Sequence, residues 1–320
     1  MRLVFIGSGE FGMESLKWLG PSKHEVLEVI TQPARPFGRG RKLKATPICR
    51  LAKELYLPVQ ETAQINEPEM VNHIRGLNPD ILLVIAFGQR IGPKLLRQSQ
   101  FRTINLHGSL LPKYRGAAPI NWAIINGEKE TGITLIEMDE NWDTGDMLGR
   151  KTTVINPRET AGELHDRLAQ LGPDLLNDVL DQIASGKNTP QKQDESQATP
   201  APKLYKADGV IHWSESAENI RNQVHGMWPW PGATCYLRQA RNKPKERLKI
   251  GRAEIINDRP LAEASSTGNT PGTITSNFTV ICGTGQLRLL EVKPQNSVLM
   301  SFTDYVNGRH IQSGDRFLDG

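Results

Sequence analysis

The residues best equipped for chemistry fall in two short blocks. The first reads N-L-H-G-S-L-L-P-K-Y-R-G-A-A-P over positions 105–119. Asn105 and His107 stand two apart at the end of a short β-prone run, 103–106. Side chains alternate along a strand, so the carboxamide and the imidazole point to the same side. There they could polarise a carbonyl and stabilise an oxyanion, and the imidazole could move protons near neutral pH. Gly108 keeps the turn open, while Pro112, Gly116 and Pro119 shape a rigid loop. Taken alone, His107 would be read more simply as a hydrogen-bonded loop histidine. The second block, N-W-D-T-G-D at 141–146, also follows a strand. Its Asp143 could orient His107 as carboxylates do for catalytic imidazoles, although Asp and Gly also make ordinary turns. No serine or cysteine sits in a nucleophile setting. The pattern suits direct transfer to an incoming nucleophile and not a covalent enzyme intermediate.

A third pattern, Gly7-Ser8-Gly9-Glu10-Phe11-Gly12, fits G-x-G-x-x-G directly after a strand. Dinucleotide binding also asks for an acid about 20 residues further on, at the end of the second strand. Gln32 stands there, and Glu28 lies inside the strand. The glycines read as a tight strand–helix turn.

These blocks need elements to hold them. The first half alternates strands (2–6, Glu25–Thr31, 80–86, 103–106, 132–138) with helical runs (11–19, 47–55). The run D-I-L-L-V-I-A at 80–86 is continuously apolar, as a parallel strand buried on both faces should be. This predicts an α/β domain with an open parallel sheet. Residues 160–185 read as a long helix broken near Gly172-Pro173. Residues 186–202 carry almost no large apolar side chain and read as a linker. Beyond it, short β-prone runs at 248–250, 254–256, 272–274, 279–281 and 287–292 predict a small antiparallel barrel. The expected division is a catalytic domain over 1–188, a linker over 189–206 and a β domain over 207–320.

Composition is consistent with this. The chain has 320 residues, 38% apolar and 23% charged, enough for two cored domains and against wholesale disorder. No run approaches the ~18 apolar residues of a membrane span, and the apolar stretch 3–6 is too short for a signal-peptide core. Cys49, Cys235 and Cys282 are far apart and form neither a zinc spacing nor a disulfide framework. A cytoplasmic, reduced protein without a metal is expected. Net charge is only +4, but two basic clusters stand out. Arg35, Arg39, Arg41, Lys42 and Lys44 lie in an acid-free stretch, and residues 238–252 hold seven basic residues against one acid, Glu246. Such local clusters point to designated anionic contacts.

The 105–112 motif N-L-H-G-S-L-L-P, followed by Asp143 in D-T-G-D, resembles the folate-dependent formyltransferases. In that family the catalytic Asn, His and Asp match Asn105, His107 and Asp143. P-x-G-R-G-x-K-L at 36–43, P-W-P-G at 229–232, the β-rich tail and the length resemble the branch acting on methionyl-tRNA. The chain departs in having G-S-G-E at 7–10 where many relatives have G-T-P, and Met227 before P-W-P-G where Asn is frequent. The resemblance implies a Rossmann-like N-terminal domain and an OB-like β-barrel C-terminal domain. It implies transfer of a formyl group from 10-formyltetrahydrofolate, as co-substrate, to the α-amino group of initiator methionyl-tRNA. Folate would lie against Ile85, Phe87, Gly88, Ile91, Asp139 and the signature Ser109, Leu110, Leu111 and Pro112. Transfer RNA would meet Arg35, Arg39, Arg41, Lys42 and Lys44, and further along Lys245, Arg247 and Lys249. A monomer with no membrane partner is expected.

Two other enzymes share the triad: a formyltransferase acting on an amino-sugar nucleotide, and a formyltetrahydrofolate hydrolase with water as nucleophile. The glycine-spaced basic loop at 35–44 argues against both, since it is surplus for a single sugar nucleotide or for water. A non-enzymatic nucleotide-binding module would leave the Asn–His–Asp set unexplained.

Overall fold

A computed structural model of the chain describes residues 1–37, 42–96, 101–239, 244–257 and 270–320. They form two compact units: Met1–Gly116 with Thr131–Thr153 and His165–Ala201, and Ala117–Glu130 with Val154–Leu164 and Pro202–Gly320.

In the first unit the strands are β1 (Arg2–Gly7), β2 (Glu25–Thr31), β3 (Arg35–Phe37), β4 (Lys42–Lys44), β5 (Val59–Glu61), β6 (Ile81–Ile85), β7 (Arg102–His107), β8 (Arg115–Gly116), β9 (Glu130–Glu137), β10 (Met147–Val154) and β11 (Pro200–Ala201). Seven of them make one sheet in the order β10-β9-β7-β6-β1-β2-β5. From β5 through β7 every neighbouring pair is parallel. Each residue of β6 is buried, so the unbroken I-L-L-V-I run has core on both faces. The sheet is not wholly parallel, because β9 runs antiparallel to β7 with His107 opposite Thr134. The chain crosses from β2 and β5 on one side of β1 to β6 on the other. Ligands bind at such reversals, outside the carboxyl ends of the strands, and β7 ends there on His107.

Local sequence explains the helices. Thr46 caps the helix Pro47–Glu54 by accepting from the Cys49 amide, with proline in its first turn. The 160–185 run divides at Gly172-Pro173 into Ala161–Ala169 and Gly172–Ala184. The glycine turn after β1 is packing: the amides of Ser8 and Gly9 donate to the Ala86 carbonyl at 3.3 and 3.1 Å. They are thereby turned toward protein, not phosphate.

The second unit carries a curled antiparallel sheet, β14-β15-β13-β12-β17, with β16 added to β15. These are β12 (Ala233–Arg238), β13 (Glu246–Asn257), β14 (Val280–Ile281), β15 (Gln286–Pro294), β16 (Met300–Ser301) and β17 (Arg316–Asp319). The runs at 248–250 and 254–256 prove to be one strand. The register of β13 shifts on either side of Arg252, and a bulge bends the strand without ending it. The helix Ala217–Gly226, capped by Ser216, covers the sheet. Trp213 stacks on Phe317 with ring centroids 5.4 Å apart in its core. Among the described residues, no helix is long and apolar enough to cross a membrane.

Candidate active site

His107 Nε2 lies 2.9 Å from the Tyr114 carbonyl oxygen. A carbonyl only accepts, so Nε2 carries a proton and Nδ1 is the nitrogen left for chemistry. Nδ1 faces Asp143 Oδ2 at 3.6 Å, beyond hydrogen-bond length, with the two side chains 6% and 11% exposed. Asp143 itself sits at φ 57°, a conformation that short polar side chains tolerate. Its Oδ2 accepts from the Gly116 amide at 2.9 Å. Asn105 emerges two residues before His107, half-buried, and its carboxamide hydrogen-bonds to no other described residue. An amide, an imidazole nitrogen and a carboxylate are thus available at one edge of the sheet.

Two glycines hold the loops that carry this set. Gly116 has φ 128°, and a Cβ there would come within 2.6 Å of the Ala201 carbonyl oxygen. At Gly145 a Cβ would fall 1.6 Å from the Glu137 carbonyl, so the D-T-G-D turn closes onto β9 only with glycine. Buried Thr134, opposite His107, donates to the Ser109 carbonyl at 2.7 Å and accepts from the Leu111 amide at 3.1 Å. Ser109 Oγ donates to the Lys113 carbonyl at 2.7 Å. The S-L-L-P segment is therefore a braced turn, with Leu111 buried and Leu110 and Pro112 half-buried.

Ile85, Phe87 and Ile91 are buried, so their side chains serve the core. What this segment offers outward is backbone, at exposed Ala86 and Gly88 with φ 45° and 79°. Asp139 is exposed, and its carboxylate shapes its own loop by accepting from the Asn141 amide and the Thr144 hydroxyl, at 2.9 and 2.6 Å.

Of the first basic cluster, Arg35, Lys42 and Lys44 lie on an antiparallel hairpin with Arg35 opposite Lys44. Arg39 and Arg41 lie outside the described residues. In the second unit Lys245, just ahead of β13, and Arg247, on β13, are exposed. Half-buried Lys249 donates to the Pro231 carbonyl at 2.5 Å and stands opposite Lys293. Burial, with Lys293, Arg247 and Lys206 nearby, lowers its pKa.

Sequence reasoning missed several polar residues around the site. Gln32, 8% exposed, donates to the Phe87 carbonyl at 2.6 Å and accepts from Arg35. Gln193 donates to the carbonyls of Asp143 and Gly145. Thr199 Oγ1 accepts from the Tyr114 amide. Only Thr134 carried a signal, as a hydroxyl inside the apolar run of β9. Nothing marked the glutamines or Thr199.

A mostly parallel sheet with an amide and an imidazole at the end of β7, and a carboxylate facing that imidazole, can support group transfer. Residues 1–180 match the family model for formyl transferase, and residues 203–310 that for the formyl transferase C-terminal domain. The chain belongs to the formyl transferase family. It is similar to the methionyl-tRNA formyltransferase of Citrifermentans bemidjiense, 42% identical over 318 residues that cover 98% of this chain and 95% of that protein. That of Caldanaerobacter subterraneus subsp. tengcongensis is 40% identical, covering 98% and 99%. Among solved structures, an N-formyltransferase from Helicobacter canadensis, in complex with folinic acid and dTDP-3-aminofucose, superposes with TM-score 0.64 at 18% identity. It covers 90% of this chain and 98% of that one. The methionyl-tRNA formyltransferase from Clostridium thermocellum gives TM-score 0.55 at 18% identity, covering 80% and 93%. At such identities these two likenesses speak for the fold.

Proposed function

We propose that this chain transfers the formyl group of 10-formyltetrahydrofolate to the α-amino group of initiator methionyl-tRNA. The observation that carries the reading is likeness along the whole chain, 42% over 318 residues, to an enzyme named for that acceptor. The two basic clusters support it over an amino-sugar acceptor or water.

The folate would supply the formyl carbon. It would rest on the exposed backbone at 86–88 beside Ile85, Phe87 and Ile91, on the braced turn Ser109, Leu110, Leu111 and Pro112, and near Gly88 and Asp139. Exposed backbone beside buried apolar side chains fits a flat heteroaromatic ring with polar edges. Asn105 donates its amide hydrogens to the formyl oxygen, where negative charge develops as the amine adds. With Nε2 committed to Tyr114, His107 acts through Nδ1, protonated to donate to that oxygen or neutral to accept a proton from nitrogen. Asp143, 3.6 Å away, stabilises the charged form of the ring and accepts the amine proton through water. The new carbon–nitrogen bond forms as the bond to the folate nitrogen breaks, and the proton lost by the amine is returned to that leaving nitrogen.

Arg35, Arg39, Arg41, Lys42 and Lys44 guide the acceptor end of the tRNA. Lys245, Arg247 and Lys249 make sequence-independent phosphate contacts. Catalysis belongs to residues 1–188 and tRNA binding to 207–320, in a cytoplasmic monomer. The test is purified protein with 10-formyltetrahydrofolate and either methionyl-tRNA, an amino-sugar nucleotide or no acceptor. Formylation of methionyl-tRNA alone is expected. Formylation of the sugar, or rapid hydrolysis without acceptor, would overturn the assignment.

A further inference from the structure

The polar stretch 191–201 makes an unusual number of specific bonds for a connecting segment, and they converge on the two loops of the active site. At its start, Gln191 and Met147 exchange backbone hydrogen bonds of 2.8 and 2.9 Å. Two residues on, Gln193 is 9% exposed and uses its whole carboxamide. One Nε2–H donates to the Asp143 carbonyl and the other to the Gly145 carbonyl, each at 2.8 Å. Its Oε1 accepts from Arg115 Nε at 3.1 Å and from Nη2 at 2.8 Å. Arg115 in turn pairs with Glu195 of the same stretch at 2.7 Å. Further along, Thr199 Oγ1 accepts from the Tyr114 amide at 2.9 Å, and the Thr199 carbonyl accepts from the Arg115 amide at 2.8 Å. Finally β11 pairs with β8, setting Ala201 beside Gly116.

The targets of these bonds matter. Asp143 carries the carboxylate facing His107. Tyr114 is the residue whose carbonyl fixes His107 Nε2, and Gly116 is the amide that holds Asp143 Oδ2. Each of the two loops passes through the left-handed backbone region, at Tyr114 with φ 64° and at Asp143 with φ 57°. Buried polar groups are satisfied here only when all three segments are present together.

We infer that residues 191–201 form a strap that positions the catalytic set, with Gln193 setting the place of Asp143 and Thr199 setting that of the Tyr114 carbonyl. Neither is itself a reacting group: Gln193 acts through Asp143, and Thr199 through the Tyr114 carbonyl that holds His107. The inference rests on the reading of Asn105, His107 and Asp143 as the reacting groups. Its physical basis is the steep dependence of rate on placement, where an error of about 1 Å costs about 10²-fold. A glutamine is required, not a glutamate, because two N–H groups must meet two carbonyls. A carboxylate oxygen turned toward them would repel both.

The test uses the full-length protein and a double-mutant cycle. Gln193→Ala is expected to lower kcat for methionyl-tRNA formylation by about 10- to 100-fold. Binding of 5-formyltetrahydrofolate, read by tryptophan fluorescence, should stay within about two-fold of wild type, because the folate segment is untouched. Gln193→Glu should behave like Gln193→Ala. In an Asp143→Ala background, Gln193→Ala should cost less than about three-fold more, since a residue acting through Asp143 has nothing left to position. A role in general stability would instead lower kcat by the same factor in both backgrounds. Thr199→Val removes the acceptor for the Tyr114 amide, and Thr199→Ser keeps it. The first should lose turnover and the second retain it, and this pair decides the matter if the Gln193 variants do not fold. Folded Gln193→Ala and Thr199→Val variants with wild-type kcat would overturn the strap, as would full additivity with Asp143→Ala. If Asp143→Ala itself keeps wild-type turnover, the reading of the active site fails instead.

Discussion

The Tyr114 carbonyl accepts from His107 Nε2 at 2.9 Å, and this one hydrogen bond leaves Nδ1 as the side of the imidazole open to chemistry. With Nε2 protonated, Nδ1 is the ring nitrogen able to take a proton, and it is the one beside Asp143. The carboxylate is held independently, by the Gly116 amide. The histidine and the aspartate are thus fixed by separate backbone groups and left free to respond to charge on a substrate between or beside them.

It follows that Asn105→Ala and His107→Ala should each reduce kcat by about 10²–10³, the usual cost of an oxyanion donor. Asp143→Ala should also cut turnover strongly. Folate affinity should change little in all three. Steady-state kinetics with a parallel folate titration would check this; near wild-type turnover in the three variants would show that the site lies elsewhere.

Neutralising Arg39, Arg41 and Lys42 together should weaken formylation of methionyl-tRNA while folate binding is retained. The log–log salt dependence of tRNA binding should flatten by about 0.7–0.9 for each phosphate that is no longer neutralised. An unchanged salt slope and unchanged tRNA kinetics would instead return the amino-sugar nucleotide to first place.

The second unit should lose stability as pH falls from 6.5 toward 4. His225 is 1% exposed, and its Nε2 accepts from the Ala253 amide at 3.2 Å. Burial, with Arg221 and Arg252 close by, lowers its pKa to about 4. The unfolded chain takes up a proton near 6.5 while the folded one does not, so stability rises with pH across that window. The full effect is roughly 3 kcal/mol. Glu163 extends the loss to lower pH. Burial opposes its ionisation, but Arg252 and Thr160 outweigh that and hold it at about 2. Its contribution is complete above its ordinary 4.5 and fades as pH falls toward 2. Thermal unfolding at several pH values should show the slope in wild type and a flatter curve for His225→Gln.

Alkylating reagents should leave activity intact under native conditions. Cys49, Cys235 and Cys282 are all buried. Burial pushes the Cys282 thiol up to about 12 and raises Cys49 and Cys235 as well, so little thiolate is present near neutral pH. Mass spectrometry after iodoacetamide treatment should find unmodified thiols; rapid labelling with loss of turnover would contradict this.

The primary sequence determined much of this protein by itself. Apolar runs of the right length dictate β1 and β6, because a strand buried on both faces must be apolar throughout. The spacing of Asn105 and His107 dictates that they share a face, since a strand alternates with period two. The basic clusters are likewise a matter of composition. Other features were decided only by packing. That β9 runs antiparallel to β7 depends on which edge the returning chain finds, and no local propensity encodes it. The runs at 248–250 and 254–256 look separate because a bulge interrupts their alternation, and only pairing with β15 makes them one strand. Gln193 and Thr199 sit in a stretch whose polarity reads as slack chain. Their hydrogen bonds reach residues about 50 and 85 positions away, and a long-range bond leaves no periodic mark in the sequence. The same holds for the Tyr114 carbonyl: every residue has one, and only the tertiary structure aims this one at His107.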